Sequence, residues 1–175
     1  MSTGTQVRSL DAEDFKAAFR NHAAGVAVIT ADAGDGPVGL TATSVFSVSA
    51  EPPLLVFSVS DLSSSAPTLR AADSLVVHLL GTDQLELARL CATSGIDRFA
   101  DTSLWDRLPT GEPFFPSAQS WIRGQVVNRM PAGGSTVVVV HAVEASLAPD
   151  DLLSSPLVYS NRQWHGIGDH SSLPV

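Results

Sequence analysis

A serine-rich stretch, Ser60 to Ser65, leads directly into Ala66-Pro67-Thr68-Leu69-Arg70. Proline in a first helical turn costs nothing, because the N–H it lacks has no intrahelical partner there, so a short helix is expected at this point. Serine hydroxyls, free backbone N–H groups and the positive end of a helix together make a seat for a phosphate monoester. The same residues also make an ordinary helix cap in a polar turn. Arg98 offers either a forked cation that completes a phosphate site or a surface charge. Taken alone, the residues leave both readings open. Just upstream, alternation over 41 to 49 sets Thr41, Thr43, Ser47 and Ser49 on one face with Val45, and Ala42, Ser44, Phe46 and Val48 on the other. A single strand there carries hydroxyls on one face.

Other chemistries lack their parts. Gly34, Gly36 and Gly39 have dinucleotide-fingerprint spacing, but that motif aims a helix N-terminus at a pyrophosphate, and here Pro37 and a strand pattern follow. His22, His78, His141, His165 and His170 are scattered, with no pair spaced for one helix face, so no metal site is expected. No serine sits in a Gly-x-Ser-x-Gly elbow. The single cysteine, Cys91, lies in an apolar helical run and reads as a buried structural thiol.

The elements that must position these groups follow from periodicity. Residues 11 to 22 read as an amphipathic helix opened by Asp11 and Asp14. Val26 to Thr30 and Val38 to Ser49 flank Ala33-Gly34-Asp35-Gly36, a hairpin signal. Glu51-Pro52-Pro53 ends that strand, and Leu54 to Ser60 resumes as another. Leu75 to Leu80 is strand-like, and Asp83 opens a helix that packs Leu85, Leu87, Ala88, Leu90 and Cys91 inward. Residues 93 to 116 form an irregular crossing segment anchored by Phe99 and Trp105. Strands return at Trp121 to Asn128, Thr136 to Ala145, Leu157 to Ser160 and around Trp164. Many short strands at hairpin spacing with few, peripheral helices predict a mainly β chain, a closed or nearly closed antiparallel barrel.

At 175 residues the chain has the length of one domain, expected over 11–168 with tails at 1–10 and 169–175. A hydrophobic content of 44% argues for a packed core, and no apolar run is long enough to span a membrane. A formal charge of −8 with ten Lys and Arg argues against a nucleic-acid surface. The polar start from Met1 to Gln6 shows no secretory or lipidation signal, so the cytoplasm is the expected compartment.

Ala24 to Thr30 and Gly39-Leu-Thr-Ala-Thr-Ser-Val-Phe-Ser-Val-Ser-Ala-Glu-Pro-Pro-Leu-Leu55 strongly resemble the signature of the flavin reductase-like, FMN-binding split-barrel family. Further matches follow in order: Ser60 to Ser65, Leu75 to Leu80 before Gln84 and Leu87, Asp97-Arg98-Phe99, Trp105, Gly111-x-Pro113 and Pro156 to Tyr159. The resemblance covers about residues 11 to 168 and implies a homodimer with FMN or FAD held near the subunit interface. It implies that Thr41, Ala42, Thr43 and Ser44 line the isoalloxazine and ribityl region, with Ser58, Val59 and Ser60 alongside. Ser63, Ser64 and Arg98 are then the phosphate ligands, in agreement with the first of the two readings of that turn. The implied reaction is NAD(P)H-dependent flavin reduction, with the reduced flavin diffusing to a partner monooxygenase or halogenase. No catalytic side chain is assigned, since hydride transfer needs alignment more than an acid or base.

One stretch departs from the family. Reductase members commonly carry Gly-Asp-His before the strand at 136 to 145, where this chain has Gly133-Gly134-Ser135. Serine donates a hydrogen bond but neither stacks nor carries charge near neutral pH. Ser135, Asn161 and Trp164 are the residues expected on the nicotinamide side, with Trp164 equally readable as a core or interface aromatic. The departure also raises a second reading: a flavin-binding carrier or accessory protein without reductase activity. The lack of a basic run gives the 2′-phosphate of NADPH no handle and favours NADH.

Overall fold

The structure, a computed structural model, describes residues 8–175; most of the tail expected over 1–10 lies outside the described residues. Helix α1 (Ala12–Arg20) starts where Asp11 accepts from the Glu13 N–H at 2.8 Å, a side-chain cap on an otherwise free donor. The strands are β1 (Ala24–Gly25), β2 (Ala27–Ala31), β3 (Val38–Ala42), β4 (Phe46–Ala50), β5 (Pro53–Ser60), β6 (Ser74–Leu79), β7 (Asp106–Arg107), β8 (Pro113–Phe114), β9 (Ser120–Ala132), β10 (Ser135–Leu147), β11 (Leu157–Ser160) and β12 (Gln163–Gly166). Helix α2 (Ala66–Ala71) has proline in its first turn as the sequence predicts, and a single 3-10 turn at Thr82–Gln84 precedes α3 (Leu85–Ala92).

Seven strands form one antiparallel sheet in the order β3-β2-β6-β9-β10-β5-β4. β1, β11 and β12 form a second sheet and β7 with β8 a third. The long β9–β10 hairpin is the spine, running further at both ends than its sequence pattern marks.

The run from 38 to 49 is not one strand. It leaves the sheet at Thr43 and re-enters at Phe46, so β3 and β4 stand at opposite edges. The alternation argument breaks across Thr43–Val45 for that reason. What joins the two edges is a side chain: Ser44 Oγ donates to the Ser58 carbonyl (3.1 Å) and accepts from the Ser58 N–H (3.0 Å). One hydroxyl thus supplies the donor and acceptor of a ladder residue at the split in the barrel.

Two apolar clusters sit on the two faces of the sheet. Ile29, Leu55, Phe57, Leu69, Leu75, Val138 and Val140 fill the barrel under α2. Val28, Leu80, Leu87, Ala88, Cys91, Phe99 and Phe115 pack α3 and the crossing segment against the other face. Phe99 and Trp105 anchor that segment as expected, with rings 5.1 Å apart and the indole Nε1 donating to the Phe99 carbonyl at 3.0 Å. His78 is fully buried beneath it. Its Nε2 accepts from the Phe115 N–H (3.0 Å), which leaves Nδ1 protonated and donating to the Val28 carbonyl (2.9 Å).

Candidate functional site

A groove of about 660 Å³ opens where the end of β3, the upper half of β5, the serine turn and the loop after α3 converge. Thr41, Ala42, Thr43, Ser44, Ser58, Val59, Ser60, Ser63, Ser64 and Arg98 all line it. So do Leu40, Leu62, Cys91, Ala92, Ser94, Gly95 and Ser135. The 91–95 residues escaped the sequence reading because nothing in their types marks them. They arrive through α3 packing on β3, where Thr41 Oγ1 donates to the Ala88 carbonyl at 2.6 Å.

The hydroxyls divide into two kinds. Those of Thr41 and Ser44 are spent on holding α3 and closing the barrel. Ser60 Oγ accepts from the Leu62 N–H and Ser63 Oγ from the Ser65 N–H, both at 3.3 Å, which leaves each hydroxyl proton available to a ligand. Thr43, Ser58, Ser64, Ser94 and Ser135 make no side-chain hydrogen bond among the described residues. The groove therefore presents a row of donors along one wall.

Arg98 sits at one end. Its Nε and Nη2 donate to the Thr93 carbonyl (3.2 and 2.9 Å), while Nη1 reaches the Gly39 carbonyl and Ser65 Oγ. This clamp fixes the guanidinium plane and leaves one Nη2 proton and the whole positive charge for the groove. No carboxylate lines the groove to neutralise it. Gly39 leaves little room at the clamp: a Cβ there would stand 3.3 Å from the Phe99 ring, which would have to shift by a few tenths of an ångström. Ser65 caps nothing with its side chain; its hydroxyl turns to the Gly39 carbonyl instead, so the phosphate-suited end is a turn plus a cation rather than a capped helix. Cys91 is inert at this wall: burial pushes its thiol up to about 12, partly opposed by the charge of Arg98.

Residues 19–168 match the model of the flavin reductase-like domain. The chain belongs to that family. An NADH:FMN oxidoreductase of Rhodococcus qingshengii is 47% identical over 159 residues, covering 88% of this chain and 81% of its own length. Among solved structures, a flavin reductase domain protein from Arthrobacter sp. FB24 superposes with a TM-score of 0.83 at 35% identity, over 93% of this chain and 96% of the other. The flavin reductase component of a bacterial two-component tryptophan halogenase reaches 0.80 at 29% identity, over 91% and 99%.

Within this flavin reductase-like chain the three nicotinamide-side candidates part company. Ser135 opens β10 directly opposite Ser60 and lines the groove. Asn161 lies in a neighbouring pocket of about 360 Å³ that shares Thr43 with the groove as a common wall. Trp164 lines neither. It packs on Tyr159, ring centroids 4.8 Å apart, at the margin of the α3 cluster. The neighbouring pocket also corrects the reading of the basic residues. Lys16, Arg20, His22 and Arg162, dispersed in sequence, line it together, because the α1 end is tied to the β11–β12 turn by the Asn161 N–H donating to the Arg20 carbonyl at 2.6 Å.

Proposed function

We propose that the groove holds FMN and that this flavin reductase-like chain is an NADH:flavin oxidoreductase supplying reduced flavin to a partner monooxygenase or halogenase. One observation carries the reading: a hydroxyl-lined slot ends at a single clamped guanidinium with no carboxylate beside it. That arrangement matches a ligand with a polyol chain and one terminal dianion. Bound flavin supplies the acceptor for a hydride from nicotinamide, at N5.

Arg98, Ser63 and Ser64 bind the phosphate; Ser58, Ser60 and Thr43 face the ribityl and ring; Ala42 and Val59 give the slot its apolar floor; Thr41 and Ser44 hold the wall rigid. Positioning is the protein's whole contribution to the chemical step. FMN rather than FAD is favoured because the slot ends at Arg98, and NADH is the donor named for the 47% identical Rhodococcus protein. A second copy of the chain is expected against the outer faces of β4 and β9, where Phe46, Val48, Val127 and Met130 are each more than half exposed. The cytoplasm, with its pool of reduced nicotinamide, is the compartment this role requires; among the described residues no helix is long and apolar enough to cross a membrane.

The test is anaerobic single turnover. FMN-loaded protein mixed with NADH should lose its visible flavin absorbance in one phase, and in air with excess FMN should oxidise NADH catalytically. Ser135 in place of a stacking histidine favours a second reading, a flavin carrier, and that reading predicts protein bleached by dithionite but not by NADH or NADPH.

A further inference from the structure

The pocket beside the groove gathers basic side chains in an acidic chain. The chain carries a formal charge of −8, yet four basic side chains, Lys16, Arg20, His22 and Arg162, converge on one cavity that no Asp or Glu lines. Lys16 is the only one of them with an ion-pair partner among the described residues, Glu13 on its own helix at 2.8 Å. Aromatic surface stands next to the charge: Phe19 and Tyr159 line the same cavity.

The cavity is built rather than incidental. Asn161 and Arg162 both adopt left-handed backbone (φ 50° and 60°), the two-residue turn that joins β11 to β12 tightly. The α1 end is tied to that turn by the Asn161 N–H and by Ser160 Oγ donating to the Asn21 carbonyl at 3.4 Å. Two separate elements therefore present guanidiniums at one place, and Thr43 is the wall the cavity shares with the flavin groove.

We infer that this cavity seats the ADP arm of the nicotinamide dinucleotide: Arg20 and Arg162 on the diphosphate and Phe19 or Tyr159 against the adenine. Guanidiniums suit a diphosphate, and an aromatic face suits a purine. The position next to Thr43 lets the nicotinamide end of the same molecule enter the groove. The inference rests on the oxidoreductase reading for the ligand's identity. It explains how a chain with serine at 135 holds a dinucleotide: affinity comes from the charged arm, outside the groove, instead of from stacking within it.

ADP-ribose, which has the diphosphate and adenine but no nicotinamide, separates the two ideas. Titrated into FMN-loaded protein by calorimetry it should bind, more weakly as salt rises, and the double variant Arg20→Ala/Arg162→Ala should raise its Kd about tenfold or more. The same variant should raise KM for NADH about tenfold with kcat and FMN affinity little changed, and Arg162→Lys in the Arg20 background should lose less than Arg162→Ala. Melting curves matching wild type exclude misfolding. Wild-type protein that fails to bind ADP-ribose, or a double variant that binds it and uses NADH as wild type does, overturns the subsite. Protein that binds ADP-ribose through these arginines but never passes a hydride to FMN keeps the subsite and overturns the oxidoreductase.

Discussion

In the proposed function Arg98 is the residue on which ligand selection turns, and its clamp makes the prediction specific. With its fork held by Thr93 and Gly39, the side chain approaches the groove without loss of conformational freedom on binding, which is what arginine offers over lysine at a phosphate. Arg98→Lys keeps the charge and loses the clamp. FMN affinity measured by fluorescence quenching should fall by about ten- to a hundredfold, the worth of a charge-assisted hydrogen bond, while riboflavin, which has no phosphate, should bind the variant as well as wild type. Equal losses for the two ligands would show that Arg98 shapes the groove instead of binding phosphate. The pattern Asp97-Arg98-Phe99 made this residue visible in sequence. Its holding carbonyls were not visible, since every residue has one.

At the scale of elements, the decisive feature is the place where the β3–β4 run breaks. Alternation treats 38 to 49 as one strand, and by local propensity nothing forbids it. The break arises because β3 and β4 stand at opposite edges of the sheet, and Ser44 bridges β3's end to β5. Ser44→Ala removes both bonds at a partly exposed site. The expected cost is about 1 kcal/mol in global stability by denaturant titration. The expected local effect is larger: the Ser58 amide should exchange faster than its neighbours on β5, and FMN should bind more weakly as the wall loosens. Unchanged exchange at Ser58 would show that the ladder closes without the hydroxyl. The α1 helix is a second case. Its amphipathic pattern is plain in sequence, but no residue of it is buried, and Phe15, Lys16, Phe19 and Arg20 line the surface pocket instead.

For the whole molecule, the buried joint at His78 sets the acid limit of the fold. Burial holds its imidazole down to about 4, against an ordinary value of 6.5, with the Val28 carbonyl opposing only in part. The native state therefore refuses a proton that the unfolded chain accepts. Stability from this source is full above pH 6.5, declines as pH falls from there and is lost by about 3 kcal/mol at pH 4. Glu112 adds to the decline at lower pH. Its hydrogen bonds from Ser74 (2.6 Å), Thr110 and Arg123 (2.8 Å) outweigh burial and hold the carboxyl below its usual range. Protonation therefore removes an interaction that ties the 108–113 turn to β6 and β9. Denaturation midpoints measured from pH 7.5 to 4 should show the fall beginning near 6.5, and His78→Gln should flatten the upper part of the curve even though it lowers stability throughout. A wild-type curve flat to pH 5 would mean the histidine is not buried neutral. His78 stands, like His141, in an apolar strand run, but the sequence does not reveal that both its ring nitrogens are bonded, because those partners come from residues 28 and 115, far along the chain in both directions.

What the sequence determined by itself was set by short-range physics and by an ordered set of motifs: the β-rich class, most strand and helix positions, the serine turn and a set of ten residues that the structure gathers in one groove. These are legible because periodicity, proline placement and motif spacing act over a few residues. Only the tertiary structure decided which hydroxyls are free and which are spent on closure, that Trp164 packs while Ser135 faces the groove, and that four dispersed basic residues share a cavity. Each of these depends on which partner arrives from a distant segment. A side chain's type states what it can bond to, but the fold alone states what stands within reach.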